Sequence, residues 1–197
     1  MLRCFTEKKI SNHKFLFEMS LIDISYFVGE LNIPNRGNTL VIERINFFID
    51  RYEKEFLYKI LGVGCYNDFI AGINASTPET KWTNLKNGCE FINTYNVLDK
   101  YYGLVNNVKK SPIAYYVYYH FLRDGYTQTA GIGEVKANAE NATVVSPAGK
   151  MISAWNEMVD LNRSLLDFLY VNGTDYPKYN LAFVDRDLLS KQNSFNI

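Results

Sequence analysis

The chain has 197 residues, 47% of them hydrophobic and 21% charged, and its 21 Lys and Arg balance its 21 Asp and Glu. That is enough for one domain with a substantial core and too little for two full-sized ones; the composition excludes a disordered chain, a collagen-like fibre and a disulfide-stapled miniprotein. No basic run exceeds a pair such as Lys109-Lys110, which argues against a function built on neutralising nucleic-acid phosphates.

From Leu21 to Val28 the apolar Ile22, Ile24, Tyr26 and Val28 alternate with Asp23 and Ser25. This period of two predicts a half-buried strand closed by Gly29 and by Pro34-Asn35-Arg36-Gly37, so residues 1–37 read as an N-terminal β arm. Thr39 to Leu61 carries Val41, Ile45, Phe48, Ile49, Tyr52, Phe56 and Ile60 at helical spacing, with Arg44, Asp50, Arg51, Glu53 and Lys54 largely off that stripe, and predicts a long amphipathic helix. Gly62 and Gly64 interrupt it, and Cys65 to Ala71 forms a short second helix ended by Gly72. Residues 74–88 read as a polar, turn-rich segment anchored by Trp82 and Leu85, and Glu90 to Tyr102 permits a small β-hairpin.

Two later helices are punctuated at both ends. Ser111 as N-cap, Pro112 at the first helical position and Gly125 as the close bracket one of them. Ser146-Pro147 and Gly173 bracket the other, with Met151, Trp155, Met158, Leu165, Leu166 and Leu169 on one side. Tyr115, Tyr116, Tyr118 and Tyr119 circle the first of these helices, as expected of a helix covered by core and subunit interface together. Between the two lies Tyr126 to Val145, with no sustained apolar period; a segment of that length is expected to be ordered by something outside its own domain. The tail 174–197 is too apolar for a solvated linker and reads as an arm that docks on a partner through Tyr176, Tyr179, Phe183 and Leu188. The fold class that follows is mainly α: a helical bundle over residues 38–173 with a small β-hairpin or N-terminal strand arm and a long extended loop at 126–145.

Few residues carry a chemical signature. His13 and His120 share no metal-ligand spacing, and His120 lies among aromatic residues as a core or interface histidine would. Cys4, Cys65 and Cys89 are odd in number and lack a CxxC spacing, so they read as reduced structural thiols. Ala148-Gly149-Lys150-Met151 approaches a P-loop but has Val144 where the first glycine belongs and Met151 where a hydroxyl must reach magnesium. Gly62/Gly64 and Gly131/Gly133 lack the third glycine of a dinucleotide loop. Glu134 and Glu140, the acids of the long loop, sit among small polar residues as solvated charges do. The sequons at Asn74, Asn141, Asn162 and Asn172 are chance matches in a chain with 21 Asn and without a recognisable export signal. No apolar run approaches the roughly 20 residues of a membrane span, so a soluble protein is expected, with no catalytic residues, cofactor or metal.

Several segments in order resemble one family. Tyr52-Glu53-Lys54-Glu55-Phe56-Leu57-Tyr58-Lys59-Ile60-Leu61-Gly62, then Cys65-Tyr66-Asn67-Asp68-Phe69, is similar to a segment of structural proteins of bacteriophages that infect Bacteroidetes, including crAss-like phages. The same holds for Lys81 to Gly88, for the Ile113 to Asp124 helix, and for Thr127 to Lys136 running through Glu140-Asn141-Ala142-Thr143 into Ser146-Pro147. The resemblance covers roughly residues 40 to 170; Met1 to Val28 and Asp175 to Ile197 carry no such pattern. It implies a virion component made in the host cytoplasm: a head-to-tail connector subunit in a homo-oligomeric ring of about twelve copies, against the portal and neighbouring connector or tail proteins. DNA would pass through such a ring without sequence-specific binding, which suits a chain of zero net charge. The long loop, through Thr127, Thr129, Gly131, Gly133, Glu134, Lys136, Glu140 and Asn141, is the expected inter-subunit surface. A tail-completion or tail-tube-proximal protein is the nearer alternative, and a small enzyme with Glu134, Glu140 and His120 in one pocket the more distant one.

Overall fold

The computed structural model describes residues 20–126, 128–130, 133–135 and 146–193. Helix α1 (Thr39–Ile73) is followed by the short α2 (Thr80–Asn87), a hairpin of β1 (Cys89–Ile92) and β2 (Leu98–Tyr101), helix α3 (Pro112–Tyr126), a second hairpin of β3 (Gln128–Ala130) and β4 (Gly133–Val135), and helix α4 (Ala148–Val171). Both hairpins are antiparallel and two-stranded, with Cys89 opposite Tyr101 in the first and Gln128 opposite Val135 in the second. The chain is thus mainly α with small β elements, as its sequence predicts.

Helix α3 is the central element, flanked by α1 on one side and α4 on the other. The predicted α1 stripe is the buried one: Ile45, Phe48, Ile49, Tyr52, Phe56 and Ile60 all face inward. The glycine break also falls where expected, since Gly62 sits at φ 72°, ψ 154° and helical geometry resumes after it. Met158, Leu165 and Leu169 of α4 are fully enclosed. Aromatic edges join the layers: Phe48 meets Phe121 at 5.4 Å between ring centroids, and Trp155 meets Tyr119 at 4.8 Å. Of the four tyrosines around this helix, Tyr115, Tyr116 and Tyr118 are buried in the chain's own core and Tyr119 is half-buried. Tyr115 donates to Glu30, Tyr116 donates to Glu55, and both rings are buried without any partner subunit.

Four sequence expectations are corrected. The predicted strand at 21–28 is a pair of 3-10 turns, Ile24–Tyr26 and Gly29–Leu31, because the Asp23 carboxylate accepts the Ser25 amide at 2.8 Å and starts a turn where extended backbone was expected. Residues 80–87 form α2 instead of an irregular segment; its anchors Trp82 and Leu85 lie three apart on one buried face. Gly125 does not close α3, which runs on to Tyr126. The stretch after α3 holds its own short hairpin, so part of it pairs locally.

The N-terminal turns are fastened by one carboxylate. Glu53 of α1 is buried and accepts from the Ser20 hydroxyl at 2.7 Å, the Leu21 amide at 2.9 Å and the Ile22 amide at 3.1 Å. Burial raises its pKa and the three donors lower it, with burial the stronger. Behind it Ile22, Tyr26, Phe27, Leu31 and Ile33 are buried in the common core. Glu53→Ala removes the acceptor from two backbone amides, and we expect it to cost about 2 to 4 kcal/mol in urea unfolding. A cost below about 0.5 kcal/mol would show that residues 20–33 are held by apolar packing alone.

Candidate assembly surfaces

The C-terminal segment docks, but on its own chain. Tyr176 is buried against Trp82 and Phe168, and its hydroxyl donates to the Lys81 carbonyl at 2.7 Å. The Asp185 amide donates to the Lys59 carbonyl at 2.9 Å. Helix α4 then grips the last described residues: Asn162 donates to the Leu188 carbonyl, Trp155 to the Ser190 carbonyl and Asn156 to the Gln192 carbonyl, each at 2.9 Å. Leu188 is as enclosed as any core leucine. Of the four residues expected to reach a partner, Tyr176 and Leu188 are therefore core residues and Tyr179 is half-buried. The reason is that the apolar surface they seek is already present on α1, α2 and α4. Phe183, 69% exposed beside the 58% exposed Leu181, is the one left facing outward.

A surface that sequence reasoning missed is the tip of the β1–β2 hairpin. Its inner face, Phe91 and Tyr101, packs on Phe168 of α4, with Tyr101 stacked at 4.7 Å. Its outer face changes from the charged pair Glu90 and Lys100 to the apolar pair Ile92 and Leu98. Ile92, Val97 and Leu98 are exposed, and Tyr95 in the turn is 85% exposed. The turn is nevertheless well specified. The Asn93 side chain accepts from the amides of Tyr95 and Val97 at 3.0 and 3.1 Å and donates to Asp99, while Asn96 takes the left-handed φ of 59°. Four exposed apolar side chains thus form a knob on a turn that its own hydrogen bonds brace.

The predicted inter-subunit residues fall partly on the second hairpin. Thr129 lies opposite Glu134 in its register and Gly133 opposite Ala130. Thr127, Gly131, Lys136, Glu140 and Asn141 lie outside the described residues.

Among the described residues no group of three or more His, Cys, Asp or Glu is placed to hold a metal. A polar cluster joins Lys59 to Glu55 at 3.0 Å, to the Tyr116 hydroxyl at 3.3 Å and to Asp185 at 3.7 Å, and ties α1, α3 and the tail together. Burial, together with the Glu55 hydrogen bond, pushes the Tyr116 hydroxyl up to about 12. Cys65 is buried and its thiol is pushed up to about 11, the environment of an inert thiol. His120 is enclosed by aromatic rings. A cleft of about 540 Å³ runs between Met151, Ile152 and Trp155 of α4 and Asp187 and Lys191 of the tail. None of the described helices is long and apolar enough to cross a membrane. No family model, curated protein or solved structure shows a significant match to this chain.

Proposed function

We propose that this chain is a structural virion protein, one subunit of a ring that joins the portal-bearing head to the tail and lines part of the DNA conduit. The observation that carries the reading is the ordered series of segments from Tyr52 to Pro147 that resembles structural proteins of Bacteroidetes-infecting phages. The architecture supports it. A ring with a heterologous interface needs two different complementary surfaces on each subunit. This fold offers the β1–β2 knob at one place and the Leu181 and Phe183 face at another, both apolar and both left over after the core is complete. The segment from 126 to 145, with the β3–β4 hairpin inside it, is the inter-subunit contact in this reading, and zero net charge lets DNA slide past.

The test is negative-stain microscopy and mass measurement of the full-length protein, alone and mixed with the portal of the same phage. Closed rings of about twelve copies that stack on the portal are expected if the ring follows portal symmetry. A protein that stays monomeric and ignores the portal would overturn the proposal. Association only with tails that lack heads would replace it with a tail-completion role.

A further inference from the structure

We propose that His120 is an acid-sensitive clasp between α1 and α3, holding the two helices together while its ring is neutral and loosening them once the ring takes up a proton. The His120 ring is 7% exposed and lies parallel to Tyr52 of α1, 4.0 Å between centroids and 8° between planes. Tyr116 and Tyr119 of α3 meet it edge-on at 4.5 and 5.3 Å. Trp155 of α4, which does not titrate, sits behind both tyrosines. Neither ring nitrogen has a hydrogen-bond partner among the described residues. Neutral imidazole leaves one N–H and one lone pair unpaired there, whereas imidazolium adds a second N–H donor and a full charge to a site with no acceptor among the described residues.

The surrounding charges do not rescue it. From α1, Glu55 favours the charged ring and Lys59 opposes it, but these two are already bound to each other and to Tyr116. From α3, Arg123 opposes the charged ring and Asp124 favours it, and they too are paired, at 3.4 Å. Tyr52 offers a π face to a cation, yet the Arg51 guanidinium already lies 5.2 Å from that ring. Burial dominates, with Arg123 second, and the ring is pushed down to about 4 from an ordinary value of 6.5. The sign follows. Between these values the unfolded chain holds the proton and the folded chain does not, so stability contributed by this group is complete above pH 6.5 and is lost as pH falls toward 4. The unpacking begins near the C-terminal end of α3, next to the β3–β4 hairpin.

Two measurements on the full-length protein test it. The chain has two histidines, so a ring-proton NMR titration gives two curves, and a His120→Gln variant identifies which is which. We expect the His120 resonance to titrate below pH 5; a midpoint at 6 or above overturns the clasp. Urea unfolding of wild type and His120→Phe is then compared at pH 7.5 and pH 4.5. The wild-type unfolding constant should rise by roughly ten- to a hundredfold more than that of His120→Phe, because over this interval the unfolded wild-type chain takes up a proton on His120 that the folded chain largely refuses. Equal pH dependence in the two proteins overturns the proposal. If His120→Phe does not fold, the NMR midpoint decides, and His120→Leu supplies the unfolding comparison.

Discussion

Truncating Leu165 to Ala is expected to destabilise the chain by about 2 to 5 kcal/mol, and Trp155→Ala by a similar amount for a different reason. Leu165 is fully enclosed in the second half of α4, so its loss leaves a cavity that neighbouring side chains cannot fill without leaving their own contacts. Trp155 lies at the edge of the core, where it packs on Tyr119 and donates to the Ser190 carbonyl. Its removal therefore opens a void and also frees the end of the tail. The signatures differ accordingly. Leu165→Ala lowers the global unfolding midpoint with little change in local protection, whereas Trp155→Ala additionally speeds amide exchange over 186–193 before the core opens. Tyr170, on the same helix and 75% exposed, is the control, and its Ala variant should change stability by no more than about 0.5 kcal/mol. A Leu165→Ala protein with the wild-type midpoint would reject this arrangement of α4.

The long helices were legible because their apolar spacing is sustained and because serine and proline mark the starts of α3 and α4. The Ser111 hydroxyl accepts the Ala114 amide in the first turn of α3, and the Ser146 hydroxyl accepts the Ala148 amide at the start of α4. Helix α2 was not legible, since eight residues with two apolar anchors give no period to read. The error at 21–28 has another origin: Ile22 and Tyr26 are buried as the alternation implied, but their burial comes from turns that Asp23 initiates and Glu53 fastens. That carboxylate lies some thirty residues away in sequence, where no local pattern points to it. The tail shows the same limit. Its apolar character correctly signalled docking, but the choice between its own chain and a partner rests on hydrogen bonds such as Asn162 to Leu188 and Tyr176 to Lys81, which only the fold brings together. The hairpin knob was hidden because Ile92, Val97 and Leu98 look like core residues until the register shows which face each occupies.

The second large effect is expected at two glycines that form the base of the β1–β2 hairpin. Gly88 closes α2 at φ 86° and Gly103 follows β2 at φ 84°. Their backbones cross so closely that a Cβ on Gly88 would lie 2.3 Å from the Tyr101 carbonyl oxygen, and one on Gly103 would lie 2.5 Å from the Gly88 nitrogen. An alanine at either site meets both an unfavourable left-handed φ and main-chain atoms that no rotamer change can move aside. Gly88→Ala and Gly103→Ala should each cost roughly 3 kcal/mol or more, with amide protection over 89–101 lost first. One separation of the two strands relieves both clashes, so the double variant should cost clearly less than the sum of the singles. Gly149 is the counter-case, in the first turn of α4 with open space around it; alanine there should be neutral or stabilise by up to about 1 kcal/mol. Because Phe91 and Tyr101 hold the hairpin on Phe168, either damaging substitution also misplaces the Tyr95 knob. A Gly88→Ala variant with wild-type stability and an intact hairpin would show that the two backbones do not cross there.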